Sequence, residues 1–102
     1  MIVVLFGTKL RPDIDRAEYD ARNERMEELV RRMPGFLSVK AYTAEDGDRV
    51  VIARFESEAA LDAWRSHPEH LEAQRMGREA YYESYWVQAC ETIRDYAYQR
   101  KG

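Results

Sequence analysis

The stretch 36–56 constrains this chain more than any other. Residues 36–43 alternate in the strand sense, with Leu37, Val39 and Ala41 on one parity and Phe36, Ser38, Lys40 and Tyr42 on the other. Glu45-Asp46-Gly47-Asp48 follows. Asp-Gly between two such runs signals a tight hairpin, so residues 49–56 are expected to pair antiparallel with 36–43.

The other segments arrange themselves around that hairpin. Residues 2–10 are β-branched and aromatic with apolar residues on both parities, which suits a strand covered on both faces. Residues 13–33 read as a helix, capped by Asp15 with Glu18 completing a capping box; Tyr19, Met26, Leu29, Val30 and Met33 share one face, and Pro34-Gly35 ends it. Ser57 caps a short helix that buries Ala60, Leu61 and Trp64. Pro68 breaks it, because proline restricts His67 away from helical angles and lacks an N–H, and then opens a second helix to about Arg78. Residues 82–96 form the last strand, with Tyr85, Val87, Ala89 and Ile93 on one parity and Tyr82, Trp86, Cys90 and Tyr96 on the other. That strand is expected to run past its own sheet and meet a second subunit.

The resulting order is βαββαβ, an α+β ferredoxin-like arrangement in a single domain, 1–102. Its four-stranded antiparallel sheet carries two helices on one face, the second broken at Pro68. The opposite face is apolar as well, which predicts a homodimer with two sheets face to face. A net charge of −3 with mixed signs argues against a nucleic-acid partner. No apolar run reaches membrane length, so no membrane partner is expected. Cys90 stands alone, which excludes an internal disulfide and fits a cytoplasmic location.

Chemistry concentrates between residues 64 and 82, which hold both histidines and one of the two tryptophans. His70 and Gln74 are four apart and Arg78 lies one turn further, so the three are expected on one stripe. Trp64 is spaced with Leu61 as a core residue would be, yet it could also stack on a ligand. His67 precedes a proline and suits a cap as well as a ligand contact. The two histidines straddle a helix break with no third ligand at metal-site spacing, and no phosphate loop, nucleophile elbow or Cys-x-x-Cys motif is present.

The turn Met33-Pro34-Gly35-Phe36, the Glu45-Asp46-Gly47 hairpin, Phe55-Glu56-Ser57-Glu58-Ala59-Ala60-Leu61, and Trp64 followed by His67-Pro68-Glu69-His70 together resemble the antibiotic biosynthesis monooxygenase family of dimeric α+β barrels. The resemblance implies that fold and a homodimer. It also implies an activity drawn from quinone-forming monooxygenases or haem-degrading enzymes, since the family holds both. The haem-degrading members share Trp64, but Gln74 stands where they carry the ligating histidine and Thr8 where they carry an asparagine. The cofactor-independent members share Trp64 too, and His70 falls where a proton-handling group is expected.

The expected function is therefore a monooxygenase without cofactor, acting on an aromatic or enolisable small molecule. His70 would be the base and Trp64 a ring-stacking partner. Phe6, Thr8, His67, Gln74, Arg78 and Tyr82 would contact the substrate, with Gln74 or Arg78 stabilising the anion. The alternatives are a haem-binding or haem-degrading protein, and a non-catalytic small-molecule-binding stress protein on the same scaffold.

Overall fold

The hairpin forms at Asp46-Gly47. In the computed structural model, which describes residues 1–102, β2 (Phe36–Thr43) and β3 (Arg49–Phe55) pair antiparallel from Phe36 opposite Phe55 to Thr43 opposite Arg49. The connection is wider than a two-residue turn. The Gly47 N–H donates to the Ala44 carbonyl at 3.0 Å, the Ala44 N–H to the Asp48 carbonyl at 2.7 Å, and Gly47 takes a φ of 92°. Such a positive φ closes a three-residue hairpin loop, a position that glycine fills without strain.

The sheet order is β2-β3-β1-β4, so β1 (Ile2–Leu10) is central, antiparallel to β3 on one side and to β4 (Tyr82–Glu91) on the other. The last strand was expected over 82–96. It stops at Glu91, opposite Ile2, because β1 is its only neighbour and offers no further backbone beyond a bond from the Thr92 N–H to the Met1 carbonyl. Ile93, Tyr96 and Tyr98 follow outside the sheet and are exposed. The expected overlong strand is thus a strand flush with its partner and a separate tail.

Helix α1 (Arg16–Val30) is shorter than the expected 13–33. Asp15 caps it by accepting from the Glu18 N–H at 3.0 Å. The Glu18 carboxylate does not complete the box; it accepts instead from the Tyr81 hydroxyl. Ser57 caps α2 (Glu58–Arg65) through the Ala60 N–H at 3.2 Å, and Pro68 opens α3 (Pro68–Met76). Where a helix to Arg78 was expected, the chain widens after Met76 into a π-helical turn over Gly77–Tyr81. The Arg11 guanidinium holds that turn, donating to the carbonyls of Arg78 and Glu79 at 2.8 Å and of Tyr82 at 3.1 Å. Carbonyls at a helix end lack partners of their own, so this fork supplies them.

Ile2, Val30, Phe55, Ala60, Leu61 and Trp64 form the core, with Val4, Met26, Leu29 and Ala53 packed against it. Burying a side chain such as Phe55 or Leu61 stabilises the fold by about 2 kcal/mol. Since Ile2 and Val4 belong to this core, the parity Ile2, Val4, Phe6, Thr8 faces the helices, and Val3, Leu5 and Gly7 face away. On the uncovered face the register lines up Trp86, Gly7, Val50 and Tyr42 across the sheet, with Leu5 beside Ile52. No helix of the protein is long and apolar enough to cross a membrane.

Candidate functional site

Pro68 sets the geometry of the helix-side site. It leaves His67 extended, at φ −61° and ψ 130°, and the His67 Nδ1 caps α3 by accepting from the Glu69 N–H at 3.1 Å. Helix α3 is then pinned to α1 at both ends. At its start Arg25 forks onto Glu69 at 3.0 and 3.1 Å, and past its end the Tyr81 hydroxyl donates to Glu18. Arg25 holds the Glu69 carboxyl below the usual carboxylate range.

Between the two pins His70 turns inward. Its ring centroid lies 4.5 Å from that of Trp64, with the planes tilted by 32°, and His67 lies 5.8 Å from the same indole. The His70 Nδ1 is buried and has no hydrogen-bond partner. Burial is the main cause that lowers the His70 pKa, and a hydrogen bond to the Arg65 backbone opposes it. The imidazole is therefore neutral at pH 7, the state a base requires. Trp64 is buried, and His70 occupies a face that an aromatic ligand was expected to use.

Gln74 and Arg78 do not share the inward line. Both are exposed, and the line from His70 continues instead through Ala73 to the buried Gly77. Helical periodicity carries positions 74 and 78 progressively toward solvent, where Arg75 pairs with Glu72 and Glu79.

On β1 the Phe6 ring meets Tyr82 and Tyr85 edge-on at 5.7 Å each. Burial, with Tyr19 second, pushes the Tyr82 phenol above its ordinary pKa, so Tyr82 stays protonated. Thr8 is 6% exposed and its hydroxyl has no partner. Arg49 stands opposite Thr8 in the register and donates to the Tyr19 hydroxyl at 3.0 Å. Sequence reasoning missed Arg49. Its signal was there, because a charged residue sits on the inward parity with Val51, Ala53 and Phe55.

No helix covers β4. Tyr85 and Val87 stand opposite Thr8 and Phe6 and so face the helix side, yet they are 43% and 54% exposed. The site is thus a groove open along the β4 edge, not an enclosed pocket. It runs from Val4 to Thr8, on the order of 13 Å at strand rise. Two clefts lie elsewhere. One of about 350 Å³ is lined by Gly7, Tyr42, Val50 and Trp86 and reaches Thr8 and Arg49, and one of about 410 Å³ is lined by Lys9, Arg11, Arg16 and the hairpin loop; neither is lined by Trp64 or His70.

The family model described as "Antibiotic biosynthesis monooxygenase" matches residues 1–76, which include Trp64, His67 and His70. The chain belongs to this family. Uncharacterized protein YqjZ of Bacillus subtilis (strain 168) is 36% identical over 81 residues, covering 79% of this chain and 71% of that protein. The structure of Rv0793 from Mycobacterium tuberculosis superimposes with a TM-score of 0.82 at 25% identity, over 94% of this chain and 98% of that one. SnoaB, a cofactor-independent oxygenase from Streptomyces nogalater, shares the fold at a TM-score of 0.75 and 16% identity, over 92% and 94% of the two chains. The antibiotic biosynthesis monooxygenase match ends at Met76, so the π turn and β4 lie beyond it.

Haem, which some members of this family degrade, does not fit the imidazoles present. His67 accepts at Nδ1, so its proton sits on Nε2, and ligation through Nε2 would cost the α3 cap. Gln74 offers only an amide.

Proposed function

We propose that the protein is a homodimeric monooxygenase of the cytoplasm that oxidises an aromatic or enolisable small molecule in the helix-side groove without a cofactor. The observation that carries this reading is the His70 imidazole buried against Trp64 with Nδ1 unpaired, an environment that lowers its pKa and favours the neutral ring. A base in that state can remove a proton from a phenol or from the acidic methylene of an anthrone-type ring. The resulting anion passes one electron to dioxygen, and superoxide and the substrate radical combine into a peroxide. Loss of water from the peroxide leaves a carbonyl, with one oxygen atom in the product and the other in water. The proton held by His70 returns to the departing hydroxide. Trp64 holds His70 in place, Phe6 and Tyr82 bound the ring, and His67 fixes the start of α3.

The dimer reading rests on the apolar face of the sheet away from the helices, where Trp86 and Tyr42 are half-exposed and Leu5, Val50 and Ile52 are partly exposed. The test of the activity is oxygen uptake with a panel of anthrones and naphthols in the presence of a chelator. Turnover that disappears in His70→Gln, with melting temperature held, supports the reading. Absence of uptake across the panel, or full activity in His70→Gln, rejects it.

A further inference from the structure

Arg49 carries a positive charge into the helix-side interior and has no carboxylate to meet it. It is only partly exposed, its recorded hydrogen bond goes to a neutral phenol, and it takes part in none of the protein's ion pairs. A guanidinium that is partly withdrawn from water and has no carboxylate partner is open to an anion that arrives from outside. A second observation lies directly across the strand pair. The Thr8 hydroxyl is buried and unpartnered, and Thr8 and Arg49 face each other in the register on the helix side, which places their Cβ atoms roughly 5 Å apart. Tyr19, 2% exposed, pins the guanidinium through its hydroxyl, and its ring stands 6.3 Å from Tyr82.

We propose that Arg49, positioned by Tyr19 and joined by the Thr8 hydroxyl, is an anion-binding site on the helix side of the sheet and selects planar aromatic ligands that carry an ionised oxygen, a carboxylate or phenolate. The inference rests on the reading that the helix-side groove is the substrate site. The Phe6, Tyr82 and Tyr85 rings pack on one another, with Tyr82 beside the Tyr19 that holds Arg49, and form the surface against which a flat ligand would lie. A guanidinium retains paired N–H groups suited to two oxygens of one ligand after giving a single bond to Tyr19. Arg49 thus selects the ligand, while the proton is handled at His70.

The probes are 2-naphthoate and its uncharged counterpart 2-naphthamide, titrated into the full chain and followed by amide chemical shifts. The expected result is a preference of roughly tenfold or more for the naphthoate, with shifts at Thr8, Arg49 and Tyr82. Arg49→Gln should bring the two affinities together. Thr8→Val should raise the melting temperature, by removing an unpaired buried hydroxyl, and at the same time weaken naphthoate binding. Equal affinities in the wild type, binding of neither probe, or a preference that survives Arg49→Gln overturns the proposal. Should Arg49→Gln fail to fold, Thr8→Val decides: an unchanged naphthoate affinity there overturns it. His70→Gln is expected to keep the preference. A preference that depends on Arg49 in a protein with no oxygenase turnover would leave this site standing and remove the monooxygenase reading alone.

Discussion

The indole of Trp86 lies over Gly7 so closely that a Cβ on Gly7 would sit 2.1 Å from the Trp86 Cε2. The missing side chain on β1 is what lets an aromatic from β4 lie flat across the uncovered sheet face. Gly7→Ala must displace that ring and should destabilise the protein by roughly 1–3 kcal/mol, read as a lower midpoint in urea. An unchanged midpoint would show that the indole has free room to move.

The same face is where a second copy is expected to sit. Light scattering at micromolar concentration should give the dimer mass for the wild type, and Trp86→Glu should give monomer or unfolded chain. A wild-type monomer would end the proposal of a sheet-to-sheet dimer.

For His70 the pH dependence has a definite sign. Burial places its pKa below the ordinary 6.5, and the neutral ring is the base, so kcat/KM should be level near neutrality and fall as pH drops below 6.5. Stability follows the same direction. The unfolded chain binds the proton first, so the folded state holds its full contribution above 6.5 and loses it as pH falls through the lower folded value. His70→Gln, which should lack turnover, is expected to flatten the acid limb of the stability curve; an acid limb of stability that persists in that variant assigns it to another group.

Haemin should bind without stoichiometry, because Gln74 is exposed, His67 caps α3 through Nδ1 and His70 is packed against Trp64. A sharp Soret band at one equivalent that His67→Ala or His70→Ala removes would reverse this and favour a haem protein.

Gly77 is the contact point of the π turn, since a Cβ there would lie 2.4 Å from the Tyr82 Cε2. Gly77→Ala should cost about 1–3 kcal/mol and disturb the Tyr82 edge of the groove. Matched near-ultraviolet circular dichroism and melting curves for the two proteins would refute it.

What the sequence made legible was local. The hairpin, the Asp15 and Ser57 caps and the Pro68 restart each depend on residues within a few positions of one another, and their chemistry is readable from spacing. The strand order followed from those elements together. Long-range pairings were not legible: Arg11 reaches Tyr82, Tyr81 reaches Glu18, and Arg49 reaches Tyr19 across 71, 63 and 30 positions. The stripe through Gln74 and Arg78 failed because a small rotation per turn accumulates and because the helix widens after Met76. The overlong strand failed because alternation in a sequence does not reveal where the neighbouring strand begins.

β1 sits between β3 and β4, and this has a consequence for how the chain comes together. The groove floor joins Phe6 and Thr8 to Val87 and Tyr85, so its two halves are separated by nearly the whole polypeptide. Contacts of that span favour slow folding, on the order of milliseconds to seconds, because the loop must close before the pairing is rewarded. Until β4 arrives, β1 shows one long unpaired edge rich in valine and leucine, the kind of edge that recruits another chain. A fragment ending before Tyr82 should therefore aggregate through β1 and bind no ligand, even though it contains His70, Trp64, Thr8 and Arg49.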